Sequence, residues 1–177
     1  MLSEKIEKGL TKQLNRESES SQLYLYMASW VERKGYEGIC EFLYDHSNEE
    51  RIHMLKLIRY INKRGGNVIL NGGEKIINIT YVSIKELFMK LFEHEQKISR
   101  EINLLVEISL QEKDYFTYNF LQWYVEEQIE EEALIKMILD KIELIGADKG
   151  GLYFFDKDMK SFHKKKNYDS NPKKKIF

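Results

Sequence analysis

Cysteine and proline each occur once in the 177 residues. The lone Cys40 excludes an internal disulfide and every zinc-finger or CxxC arrangement, and it fits a reducing compartment. A single proline leaves long helices uninterrupted, and the ten glycines are too few for a collagen-like or linker-rich chain. No window approaches 18 consecutive apolar residues, so no membrane-spanning helix is expected. The opening MLSEKIEKGL places charges where a signal peptide needs an apolar run. These absences lead to an expectation of a cytoplasmic protein without a membrane partner. What is present is 42% hydrophobic and 32% charged residues, a composition that disfavours disorder and all-β folds. The length fits one domain with a sizeable core.

The formal net charge of −1 hides an asymmetry. Residues 160–177 carry seven lysines and one aspartate, which leaves 21 basic against 28 acidic side chains on residues 1–159. The reading is therefore a domain over 1–159 and a basic tail over 160–177. An acidic body attracts cations and repels nucleic acid, so no nucleic-acid partner is expected despite the lysine runs at 164–166 and 173–175. The tail is expected to be a solvated terminus.

Eight of the glycines mark junctions: Gly35, Gly65, Gly66, Gly72, Gly73, Gly146, Gly150 and Gly151. Between them apolar residues recur at three- and four-residue spacing, which predicts helices over about 3–34, 36–64, 83–112 and 114–145, with a short fifth after Gly151. Ser3, the pair Ser83 and Glu86, and Asp114 are the expected N-terminal caps. The first and third turns are short and force antiparallel neighbours. The connection between the second and third helices is some 17 residues long, enough to run the length of a bundle and return the chain to its starting end. The expected fold is all-α: two antiparallel hairpins joined by one long crossover.

Each long helix interrupts its apolar stripe near the middle with a ligand-type side chain. The first reads Leu10, Leu14, Glu17, Ser21, Tyr24, Ala28; the second Leu43, His46, Glu50, His53, Leu57; the third Leu91, Glu95, Ile98; the fourth Tyr124, Gln128, Glu131, Ile135. Counted from the turns at Gly35 and Lys113, Glu17 and Glu50 differ in height by roughly 4 to 5 Å, and Glu95 and Glu131 match. Four carboxylates in a low-dielectric layer repel and protonate unless cations neutralise them. Glu50 and His53 form a Glu-x-x-His pair, and the matching place on the fourth helix holds Gln128-x-x-Glu131. One imidazole and four carboxylates suit a di-iron or di-manganese site better than structural zinc. Iron is preferred because oxygen chemistry gives such a site a use. His46 reads as a supporting or satisfied core histidine, and Trp30 and Trp123 as packing aromatics.

With EERIH at 49–53, HEQKIS at 94–99, NFLQWYVEEQIEEE at 119–132 and GLYFFDK at 151–157, the chain resembles the bacterial non-haem ferritins from Leu2 to about Met159. The resemblance implies a ferritin-like four-helix bundle with one long crossover and a short fifth helix. It further implies a shell of about 24 subunits that oxidises Fe(II) with dioxygen or hydrogen peroxide and stores a ferric oxide mineral. Carried over by position, Glu17, Glu50 and His53 would hold one iron, and Glu50, Glu95 and Glu131 a second with Gln128 nearby. Glu49, Glu127 and Glu130 would hold a third, and Tyr24 would stand beside the centre where oxygen is handled. The haem-binding relatives have a second Glu-x-x-His and a methionine after the bridging glutamate. Glu131 with Gln128, and Arg51, occupy those places here, so no haem is expected. A di-iron oxidase with rubredoxin-like cysteines, a DNA-protecting mini-ferritin and an inert cage are the competing classes. The single cysteine, the intrabundle site and the buried charge argue against them in turn.

Overall fold

The computed structural model describes the backbone of residues 1–71 and 80–169, with side chains through Lys160. Gly72, Gly73 and the last residues of the tail lie outside the described residues. Among the described residues five helices follow in order: α1 (Glu4–Glu32), α2 (Glu37–Lys63), α3 (Ile84–Gln111), α4 (Tyr115–Ile145) and α5 (Lys149–Asp169). The first four end within two residues of the positions expected from periodicity. The fifth starts ahead of Gly151 and continues past Met159, so its backbone runs into the segment set apart as the tail. Among the described residues no helix is long and apolar enough to cross a membrane.

Ser3, Ser83 and Asp114 cap α1, α3 and α4 by accepting from the backbone N–H of Ile6, Glu86 and Thr117. The returning arm of the α3 box differs slightly from expectation, because the Glu86 carboxylate accepts from Val82 N at 2.6 Å, one residue before the cap. The α2 helix has no cap of its own at Tyr36. Instead the buried Asp156 of α5 accepts from Ile39 N at 2.9 Å, placing a carboxylate on the positive end of α2. Gly38 makes this docking possible, since a Cβ there would lie 1.7 Å from the Asp156 carbonyl oxygen. A Lys160–Glu37 ion pair at 2.7 Å flanks the same junction.

Contacts across the bundle fix its topology. Arg16 meets Glu101 and Tyr24 meets Glu95, so α1 and α3 run antiparallel. His46 approaches Glu131, and Arg64 pairs with Asp114, so α2 and α4 do too. Because α1 and α2 are joined by a short turn, α2 and α3 point the same way, which only a crossover of full bundle length allows. The crossover climbs α1. Asn67 N donates to Glu7, Asn15 Nδ2 donates to Ile69 O, Asn71 N donates to Asn15 Oδ1, and Tyr81 packs edge-on against Trp30.

Asn15 is thus a two-way clamp, buried at the foot of the crossover. Asn15→Ala should cost about 0.5 to 1.5 kcal/mol, because it removes the hydrogen bonds to the Ile69 carbonyl and from the Asn71 N–H, both on exposed residues where water replaces part of the loss. Urea denaturation of wild type and variant checks this, and an unchanged midpoint would mean that the clamp is replaced by water.

The apolar core is divided in two. One cluster joins Met27, Val31, Ile39, Leu43, Leu87, Leu91, Ile135 and Ile138; the other joins Leu10, Leu14, Leu57, Ile61, Ile98, Ile102 and Leu121. The residues between them on every long helix are polar and buried: Glu17, Ser20, His46, Glu50, His53, Glu95, Gln128 and Glu131.

Candidate metal centre

Each helix contributes to this layer because its stripe is interrupted at the same height. Glu17 on α1 receives Gln13 Nε2 at 2.6 Å on Oε1, while its Oε2 faces His53 Nδ1 at 3.7 Å. His53 Nδ1 also stands 3.5 Å from Glu50 Oε2, one turn earlier on α2. The donor atoms of Glu17, Glu50 and His53 lie within 4.8 Å of one another, close enough to share an ion. On α3, Glu95 is wholly buried, with Oε1 accepting from Tyr24 OH at 2.9 Å. Gln128 Nε2 reaches Glu95 Oε2 at 3.4 Å, the Glu95 carbonyl at 3.3 Å and Ser99 Oγ at 3.3 Å. Glu131, 3% exposed, lies with its Oε2 at 3.4 Å from His46 Nε2. A groove of about 400 Å³ between α3 and α4, lined by Ser99, Asn103, Val125, Gln128, Ile129 and Glu132, opens onto Gln128.

The electrostatics describe a site that holds protons where cations would go. Burial opposes charge on His53, yet the hydrogen bonds it donates to Glu17 and Glu50 hold its pKa at about 10. Burial likewise pushes Glu17 upward, but its hydrogen bonds with His53 and Glu50 outweigh this and keep it ionised below the usual carboxylate range. Burial and the Glu17 charge drive Glu50 well above that range. Burial and the Glu131 charge raise Glu95 to about 7, against hydrogen bonds from Tyr24 and Gln128. Tyr24 is raised well above an ordinary phenol, first by burial and then by the Glu95, Glu131 and Glu50 charges, so it remains a donor.

Coordination requires neutral imidazole and ionised carboxylates, so loading the centre must expel these protons. At pH 6, Zn(II) binding to the metal-free protein should release roughly two to three protons per chain, from His53, Glu50 and Glu95. By pH 8 the count should fall by about one as Glu95 ionises beforehand. The same raised values mean that their contribution to folding is fully present below the unfolded pKa values. The Glu95 part is lost as pH rises from the ordinary carboxylate range through about 7, and the His53 part through about 10. Titration in weak buffer with an indicator dye checks the release, and a proton count of zero would contradict the assigned protonation.

Of the residues singled out in the sequence, Glu17, Glu50, His53, Glu95, Gln128, Glu131 and Tyr24 are all buried in this layer. The other three are spread. Glu49 is half-buried and groups with His46 and Glu131, while Glu127 stands 3.9 Å from His53 Nε2 and Glu130 is exposed. Among the described residues, no group of three donor atoms within 4.8 Å includes Glu127 or Glu130. Sequence reasoning missed Gln13, which orients Glu17, although it sits one turn before Glu17 and so on the same face. It also missed Ser99, which accepts from Gln128 and donates to Glu132 at the groove.

A bundle whose core is split by buried carboxylates and imidazoles defines a metal-handling four-helix protein. The chain matches the Ferritin-like domain family over residues 7–145 and belongs to it. It is 46% identical over 159 residues to a probable bacterial non-haem ferritin-like protein of Haemophilus influenzae, covering 90% of this chain and 96% of that one. It is 45% identical over 161 residues to a bacterial non-haem ferritin of Campylobacter jejuni, covering 91% and 96%. Its fold superposes with a TM-score of 0.88 on an open-pore ferritin from the hyperthermophilic archaeon Archaeoglobus fulgidus, at 41% identity, covering 90% of this chain and 98% of that one.

Proposed function

We propose that this protein is an iron-storage ferritin. It oxidises Fe(II) at the intrabundle centre with dioxygen or hydrogen peroxide and keeps the product as a ferric oxide mineral inside a shell of about 24 identical subunits. The observation that carries this reading is the convergence of Glu17, Glu50 and His53 in a buried layer shared with Glu95 and Glu131. Such a layer is unfavourable when empty of charge compensation and useful only when cations pass through it.

Iron is the substrate. One Fe(II) is held by Glu17, Glu50 and His53, and the other by Glu50, Glu95 and Glu131, with Glu50 between them. Each ion gives up one electron. Two electrons convert hydrogen peroxide into two hydroxide ions, or dioxygen into peroxide. Fe(III) makes its bound water more acidic, so hydrolysis to oxide follows as the ions leave, and the half-buried and exposed Glu49, Glu127 and Glu130 offer oxygen ligands beside the centre. Gln128 presents a neutral amide where a second imidazole would bind more tightly, which favours release. Tyr24 donates its phenol O–H to Glu95 Oε1 and so holds that carboxylate in place.

Stopped-flow oxidation at two Fe(II) per chain, followed by sizing of the loaded shell, tests the reading. Slow oxidation no faster than free Fe(II) would overturn it. The purified protein should also lack stoichiometric haem, because the exposed Arg51 stands where the haem-binding relatives carry methionine. A pyridine haemochrome spectrum decides this point, and about one haem per two chains would move the protein to that other class. Soluble cytoplasmic action without nucleic acid completes the proposal.

A further inference from the structure

We propose that the groove between α3 and α4 admits a small uncharged oxidant, dioxygen in the first instance, to the buried layer, with Gln128 closing its inner end. This role rests on the proposed iron oxidation for the identity of what passes.

The groove measures about 400 Å³ and is walled by both helices. An apolar cavity of about 150 Å³ already takes a xenon atom or a benzene molecule, so a diatomic gas has ample room. Ile102, Val125 and Ile129 make one part of its lining apolar, and Glu132 is the only charged residue on its wall. That carboxylate is already engaged, since it accepts from Ser99 Oγ. A divalent ion entering here would meet no imidazole and one occupied carboxylate, a poor exchange for its shell of water. The other acids near the layer lie toward α2, where Glu49 approaches His46 and Glu127 approaches His53. Charge thus marks the α2 side, and the α3–α4 side suits a molecule without charge.

The inner end of the groove is loosely held. Gln128 Nε2 makes three contacts with two N–H groups, at 3.3 Å to the Glu95 carbonyl, 3.4 Å to Glu95 Oε2 and 3.3 Å to Ser99 Oγ. All are longer than the range of about 2.7 to 3.2 Å usual for such bonds. Gln13 Nε2, by contrast, holds Glu17 at 2.6 Å. Directly behind Gln128 stands the wholly buried Glu95. Rotation of the Gln128 side chain therefore joins the groove to the layer while every helix stays in place.

Xenon-pressurised crystals of the full-length protein, together with oxidation rates measured against dioxygen concentration, test the assignment. Wild type should show xenon beside Val125 and Ile129. Asn103 is exposed on the groove wall, so Asn103→Trp fills the space without entering the core. This variant should lose the xenon peak and lower the second-order rate constant for dioxygen by about 10-fold or more, with the affinity and uptake rate for Co(II) unchanged. Val125→Phe, which fills the groove from α4, should reproduce the pattern. A wild-type groove without xenon, or wild-type dioxygen dependence in both filled variants, overturns the proposal. Equal slowing of Co(II) uptake and of oxidation also overturns it, by making the groove a passage for ions. Xenon in the groove of a wild type that oxidises Fe(II) no faster than free solution would instead overturn the iron-oxidation reading and leave the gas passage standing.

Discussion

On the proposed function, Glu50→Ala should reduce the initial rate of Fe(II) oxidation by at least about 100-fold, because it removes the carboxylate that would serve both ions. The bundle should still fold, since the two apolar clusters lie above and below this layer and do not involve the side chain. The isosteric Glu50→Gln separates chemistry from folding. In the metal-free wild type, burial and the Glu17 charge push the Glu50 pKa well above normal, so its ionised form opposes folding as pH rises above the carboxylate range. Neutral glutamine removes that cost. The metal-free Glu50→Gln protein should therefore melt no lower than wild type at pH 8, while wild type gains far more from added Zn(II). Stopped-flow absorbance and paired thermal scans check both halves, and wild-type oxidation rates in Glu50→Ala would sink the site.

Gly38→Ala should be the most damaging conservative change outside the site. In an ordinary helix interior alanine is better than glycine by about 1 kcal/mol. Here the added Cβ would sit 1.7 Å from a backbone oxygen of α5, which has no rotamer by which to escape. Either α5 lifts, exposing Phe155 and Met159, or the start of α2 shifts and loses the Asp156 cap. A net loss of about 3 kcal/mol is expected, with faster proteolysis between Ile145 and Lys149. Gly9→Ala is the control. Its Cβ meets only the end of the flexible Leu105 side chain, at 2.5 Å, so a small rotamer change should absorb it. Equal losses in the two variants would show that the α5 contact is not what makes Gly38 special.

Much of the molecule was legible in its sequence. A 3.6-residue stripe reports its own interruptions, so Glu17, Glu50, Glu95 and Glu131 could be found by asking where a core position carries charge. Distance from a turn translates into height along a straight helix, so their common level could be counted. The caps were legible for the same local reason. What escaped was decided between elements. Tyr36 offers α2 no cap, and nothing near it in sequence shows that Asp156, more than a hundred residues later, supplies one. The height argument also treats each helix as a line, so it ranks residues by level but says little about rotation between helices. The grouping of Glu49 with Glu127 and Glu130 comes from the resemblance, and rotation about α2 also brings the Glu49 carboxylate within 4.8 Å of donor atoms on His46 and Glu131.

The division of the apolar core has a mechanical consequence. Side-chain packing passes displacement from neighbour to neighbour only while the neighbours are close-packed. On the proposed function ions come and go in this layer of carboxylates and imidazoles, and in a continuous core its swelling and shrinking would loosen everything around it. Here the two apolar blocks are separate clusters on either side of the layer, joined by the helix backbones and, through the layer, by the rings of Tyr24 and Phe42 on His46 and of Tyr124 on His53. On the proposed function the layer would act as an expansion joint between the two blocks. Loading and emptying it should leave amide exchange in both blocks nearly unchanged, with the altered protection confined to the turns that carry Glu17, Glu50, Glu95 and Glu131.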